Sequence, residues 1–104
     1  MNGAFRVVRG AAFCAVLAAL PLAALAYAGE ELASGAQVNV AQARAIALRA
    51  VPGEIADEEL ETEEGGSGLR YTFEIKHGPD VYEVGVDAKT GALLENIVEG
   101  KSPQ

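Results

Sequence analysis

The sequence predicts a small α+β domain, one N-terminal helix packed on a three- or four-stranded antiparallel sheet, preceded by an export leader. Three observations carry that prediction. Apolar residues recur at helical spacing from Val40 to Val51 and stop at Pro52-Gly53. Residues 69–76 and 82–86 then alternate apolar with polar, the period of a half-buried strand. The connections between these runs are short, which favours neighbouring strands pairing in order.

The first 28 residues read as the leader. Arg6 and Arg9 are the only charges before an apolar run from Ala11, and that run closes on Ala26-Tyr27-Ala28 ahead of Gly29-Glu30-Glu31. A basic start, an apolar middle and a small-x-small end describe a secretory signal peptide, with cleavage expected between Ala28 and Gly29. An uncleaved anchor is the competing reading, because the run approaches the roughly 18 residues that a spanning helix needs. Its alanine-rich composition and Pro21 argue for removal, so no stable membrane insertion is expected after cleavage. In either case the basic flank stays inside and the folded part lies outside the cytoplasmic membrane, periplasmic or secreted. Cys14, the single cysteine, falls within the leader and follows Phe13, a poor context for lipidation. The exported product therefore has no disulfide to support it.

Residues 29–37, GEELASGAQ, show no sustained period and are expected to be a flexible linker. Order is expected from Val38. Asn39 and Gln42 have the spacing of a capping box, and Val40, Ala43, Ile46, Ala47, Ala50 and Val51 share one helix face. Leu48 falls off that stripe. In residues 54–62 Ile55 and Leu60 are out of phase, so this first strand is expected at an edge or with a bulge. Residues 63–68 form a turn, Leu69, Tyr71, Phe73 and Ile75 face a core, and Gly78-Pro79-Asp80 reverses the chain. Tyr82, Val84 and Val86 line the next strand, residues 92–98 form the last, and the domain over 38–99 ends in a short tail, 100–104. No segment repeats at a fixed period.

Asp87-Ala88-Lys89-Thr90-Gly91 is the most patterned local motif. An Asp that can accept turn N–H groups and a Gly free to take positive φ suit a tight hairpin with a bulge. As a calcium loop it lacks the further carboxylates and the closing bidentate Glu of an EF-hand. It is expected to be a hairpin.

The helix AQARAIALRAVPGEI, the strand YTFEIK and the run YEVGVDAKTGALLE together resemble the PepSY domain, found in propeptides of thermolysin-like metallopeptidases and in small bacterial envelope proteins. The likeness spans Val38 to Glu99. It is carried most by Ala47, Ala50, Val51, Pro52 and Gly53, and by Val84, Val86, Asp87, Thr90 and Gly91. The resemblance implies a helix on an antiparallel sheet, an extracytoplasmic setting and a role in restraining or assisting peptidases. Two departures stand out: the strongly acidic ADEELETEEGG, and Gly85, which leaves an outward strand position without a side chain.

Catalysis is not expected, and no catalytic, cofactor or metal residue is nominated. His77 is the single histidine, borders a Gly-Pro turn and is expected in solvent. No H-E-x-x-H is present. Ser34, Ser67 and Ser102 all fall in loops or tails, outside any nucleophile-elbow context. So small a domain has little room for the cleft that paired carboxylates would need.

The chain has eight basic and fifteen acidic side chains, formally −7. Loss of Arg6 and Arg9 with the leader leaves six basic against fifteen acidic, −9. That balance excludes nucleic acid as an expected partner and favours solubility, cations or basic protein surfaces. The run Asp57, Glu58, Glu59, Glu61, Glu63 and Glu64 reads as a charged edge strand that discourages aggregation. Domains of this size are marginal without staples, so dimerisation or docking onto a larger protein would add stability. The expected function is a non-catalytic, exported protein-binding module that inhibits or chaperones a peptidase or another envelope protein. The alternative is an acidic cation-binding or sensory module of the bacterial envelope.

Overall fold

The computed structural model describes residues 26–101. The expected leader lies outside them except for Ala26, Tyr27 and Ala28, as do Cys14 and the last residues of the tail, 102–104. A 3-10 helix, Glu30–Gly35, precedes the helix α1, Val40–Ala50. Four strands follow: β1 Glu54–Thr62, β2 Leu69–His77, β3 Asp80–Asp87 and β4 Leu93–Lys101. They form one antiparallel meander in the order β1-β2-β3-β4, and α1 packs on one face of it, the α+β arrangement expected. Among the described residues no helix is long and apolar enough to cross a membrane.

The helix begins where the capping box places it. The Asn39 side chain accepts the Gln42 N–H at 2.8 Å, and the Gln42 side chain accepts the Asn39 N–H at 2.8 Å. Ala43, Ala47 and Val51 are its buried positions, while Val40, Ile46, Leu48 and Ala50 flank them half-buried. Small alanines let the helix lie close to the sheet, against a floor of Tyr71, Phe73, Ile75, Val84 and Val86, all buried.

The bulge in β1 accounts for its irregular pattern. Ile55 pairs with Ile75 and Asp57 with Glu74, so Ala56 is the extra residue and the alternation shifts by one. Ile55 and Leu60 thereby both face the helix. β1 is also an edge, as expected.

Two expectations need correction. Residues 29–37 are not a flexible linker: they hold the 3-10 helix, whose Leu32 and Ala33, with Ala36 just beyond, pack against the core. The Gln37 and Val38 N–H groups both donate to the Ala88 carbonyl at 2.9 Å, tying this segment to the end of β3. A nine-residue stretch with three small apolar contacts is too short to declare a period. The second correction concerns the end of the sheet. β4 continues beyond Val98 to Lys101, because Gly100 pairs with Val81 and Lys101 with Asp80.

Candidate functional site

The Asp87 hairpin forms as the sequence suggested, with one addition. The Asp87 Oδ1 accepts the Lys89 N–H at 2.8 Å and the Thr90 N–H at 3.1 Å, and Gly91 closes the turn at φ 80. Asp87 also accepts the Ser67 N–H at 2.6 Å and the Ser67 hydroxyl at 2.8 Å, from the β1–β2 loop. Burial by itself would push this carboxyl up, but the N–H and hydroxyl donors outweigh it and hold Asp87 well below the usual carboxylate range. The hairpin is thus a clamp joining two loops at one end of the sheet.

Ser67 beside Asp87 does not start a Ser-His-Asp set. His77 closes the opposite end of β2, roughly 25 Å away along an extended strand. There its Nδ1–H donates to the Pro52 carbonyl and its ring meets Tyr82 edge-on, centroids 6.1 Å apart. His77 is exposed, as expected, but it is not unengaged. It lines a hollow of about 120 Å³ with Ala50, Val51, Pro52, Tyr82 and Asn96. A second hollow, about 270 Å³, lies between Ala26–Ala28 and the start of β1. Both are smaller than the roughly 300 Å³ at which small-molecule pockets begin.

The surface that stands out is the face of the sheet opposite α1. Since Tyr71, Phe73 and Ile75 point to the helix, Arg70, Thr72, Glu74 and Lys76 point away, and their cross-strand partners share that side. Glu59 and Glu61 come from β1, Glu83 from β3 opposite Glu74, and Glu95 and Ile97 from β4 opposite Gly85 and Glu83. Glu99 lies close enough to Glu74 and Glu83 to act on both. Four strands therefore contribute carboxylates to one face that no element among the described residues covers.

Arg70 braces this face. Its guanidinium lies 3.5 Å from Glu95 and 3.7 Å from Glu63, and donates to the Glu64 carbonyl at 3.0 Å. Gly85 lies beside it: a methyl there would meet the Arg70 side chain at 3.5 Å, an ordinary contact, and the Glu95 Cβ at 3.2 Å, a tighter one. The outward position that lacks a side chain is filled by an arginine from the next strand. Arg70 is 7 % exposed, and its Nε has no hydrogen-bond partner.

The acidic run of β1 is dispersed. Glu58 turns to the helix side and pairs with Arg44 through contacts of 2.6 and 2.8 Å. Glu61 accepts the Thr72 hydroxyl at 2.7 Å. Glu59 and Glu61 join the open face, while Glu63 meets Arg70. Register, more than contiguity, decides which acids act together. Among the described residues no three His, Cys, Asp or Glu side chains are placed to hold a metal ion.

Burial pushes the Glu83 carboxyl up, and the neighbouring Glu95 and Glu99 add to it, bringing it to about 7. Glu74 is raised by burial and then by Glu99, Asp57 and Glu59; Glu59 is raised by burial and then by Glu61, Asp57 and Glu63. A carboxyl raised by folding is protonated more readily in the native state than in the unfolded chain. Its contribution is fully present below about 4.5 and is lost as pH rises through about 7. The melting temperature is therefore expected to climb as pH falls from about 8 to about 5. At the upper end Glu83→Gln is expected to stabilise by about 1 kcal/mol, allowing for solvent screening, or roughly 4–8 °C. At the lower end the variant and the parent converge. Thermal melts across that range check it, and a variant that melts lower at about pH 8 would contradict the repulsion.

Residues 37–96 match the profile of a family described as peptidase propeptide and YPEB domain, PepSY. No curated protein and no solved structure matches the chain.

Proposed function

The chain belongs to the PepSY family, and from that premise we propose that it is a non-catalytic, exported protein-binding module. It docks through the open face of its sheet onto a peptidase or another envelope protein that presents a basic surface, and restrains or chaperones it. The observation that supports this most is the gathering of Glu59, Glu61, Glu74, Glu83, Glu95 and Glu99 on one uncovered face.

Mutual repulsion among these acids costs folding stability, and Lys or Arg side chains from a partner would relieve it. Complementary charge speeds encounter and fixes orientation, and it disfavours acidic partners. Along the margin, β4 exposes Leu93, Ile97 and Val98, each about half accessible, and its outer edge pairs with no strand among the described residues. Apolar residues beside a charged field suit a protein surface better than a small ligand. The family's occurrence in peptidase propeptides favours a peptidase as the first partner to seek.

Affinity capture from an envelope extract tests the proposal. The parent protein is expected to retain a partner at low salt and to release it as ionic strength rises. The double variant Glu83→Lys/Glu99→Lys, on the open face, is expected to weaken capture by at least about tenfold. Equal retention by parent and variant would sink the docking face.

A second reading has one observation in its favour. The crowding that brings Glu83 to about 7 would let the same face respond to protons or cations in the envelope. Stabilisation of the isolated protein by millimolar calcium, with no protein partner captured, would select it.

A further inference from the structure

We infer that the export leader is removed by a cut after Ala26, two residues before the expected bond, so that Tyr27 becomes the first residue of the exported protein. This rests on the export reading, and the experiment below separates the two. The sequence contains two overlapping small-x-small ends, Ala24-Leu25-Ala26 and Ala26-Tyr27-Ala28, and each satisfies the chemistry of leader removal. The fold distinguishes them.

Tyr27 and Ala28 are working parts of the domain. Ala28 forms a parallel bridge with Glu59, and its carbonyl accepts the Leu60 N–H at 2.8 Å. Leu60 is 2 % exposed with this segment in place, and loss of the acceptor would leave its N–H unpaired at the edge of the sheet. The bridge also occupies part of the outer edge of β1, a position that would otherwise invite pairing with another chain. Tyr27 packs on the core, its ring 6.4 Å from that of Tyr71 and tilted by 54°. The Tyr27 carbonyl accepts the Glu30 N–H at 3.2 Å and so starts the 3-10 helix.

Gly29 points the same way. It sits at φ 85, and a methyl there would overlap the Leu60 carbonyl oxygen. The φ torsion of residue 29 is defined by the carbonyl carbon of Ala28. The left-handed conformation is therefore a demand on this residue only while that peptide bond is intact. A cut after Ala28 would discard the Tyr27 ring and the Ala28 acceptor, and would place a new ammonium against the Leu60 backbone. A cut after Ala26 keeps every one of these contacts and opens the chain at an exposed alanine.

The leader peptidase of the exporting cell acts on an extended chain, so the fold does not steer it; the fold shows which residues the mature protein uses. Water adds across the Ala26–Tyr27 amide, leaving a carboxylate on Ala26 and a free amine on Tyr27. The test is to express the full chain with its own leader in a bacterial host, recover the extracytoplasmic protein, and determine its intact mass and N-terminal sequence. The expected product begins at Tyr27. Ala24→Leu, which spoils only the upstream end, is expected to remove the product that begins at Tyr27, whereas Ala28→Leu leaves that product in place. A product beginning at Gly29 from the parent chain, or loss of the parent's product in Ala28→Leu, overturns the inference while export stands. Full-length chain held in the membrane with its folded part outside overturns the inference alone, and full-length chain confined to the cytoplasm overturns the export reading with it.

Discussion

Replacing Asp87 with alanine is expected to remove most of the protein's folding stability. The carboxylate is 1 % exposed and accepts from the Ser67 N–H and hydroxyl and from the Lys89 and Thr90 N–H groups. Hydrogen bonds to a charged group contribute about 1.5–3 kcal/mol each in favourable settings, and donors stranded by loss of their acceptor add a desolvation cost. These contributions are not additive, so a total of about 3–5 kcal/mol is the reasonable expectation. A domain of this size has a stability near the bottom of the usual range, about 5 kcal/mol. Asp87→Asn keeps the shape but turns a donor toward other donors, and is expected to lose about half as much. Urea unfolding followed by circular dichroism measures both. A loss below about 0.5 kcal/mol in Asp87→Ala would show that solvent takes over the role of the carboxylate.

The clamp also shows what could be read from the sequence. Its local half was legible, because Asp87 and the N–H groups of Lys89 and Thr90 lie within three residues of one another. The capping box at Asn39 was legible for the same reason. Ser67 was not, since it lies 20 residues from Asp87 and reaches it only once β2 and β3 are in register. Tyr71 is similar: its hydroxyl donates to the Val38 carbonyl at 2.8 Å across 33 residues. Burial and then Tyr27 push that hydroxyl up to about 12. The open face is the largest case. A contiguous acidic run drew attention to β1, yet its members divide between two faces, and the acids that reinforce one another come from separate strands. Arg70 gave one signal in advance. A glycine at an outward position on β3 invites a long side chain from the neighbouring strand, and Arg70 is the residue that lies there.

The two sides of the sheet obey different rules, and this ties stability to the proposed docking. On the helix side, apolar residues and small alanines close the core, with the Arg44–Glu58 and Asp80–Lys101 pairs at the rim. On the open side, half-buried carboxylates repel one another, braced by Arg70 at one end. A surface arranged only for solubility would spread its acids so that each kept an ordinary affinity for protons. Here register concentrates them, which costs stability in the free protein, the cost that the proposed basic partner would relieve.

Phe73→Ala is expected to cost about 3–5 kcal/mol, as much as the loss of Asp87, but for a different reason and with a different dependence on pH. Phe73 is fully buried in the second strand, its ring stacked on Tyr71 with centroids 6.4 Å apart and planes 19° from parallel. Ala43 and Ala47, which belong to the same core, have no longer side chain to swing into the space. α1 is further held by its cap and by the Arg44–Glu58 pair, so the site collapses poorly and most of the cavity remains. Phe73→Leu fills much of that space and is expected to lose less than about 1.5 kcal/mol. Phe73 itself carries no ionisable group, so the Phe73→Ala deficit should be nearly the same at about pH 7 and about pH 3. Asp87 behaves otherwise. Folding depresses its affinity for protons, so its contribution is complete above the unfolded value of 3.8 and fades as pH falls below it. Urea titrations at both pH values should therefore show the Asp87→Ala deficit shrinking in acid while that of Phe73→Ala holds constant. Equal shrinkage in both would mean that the acid-induced change lies in the unfolded chain and not in the clamp.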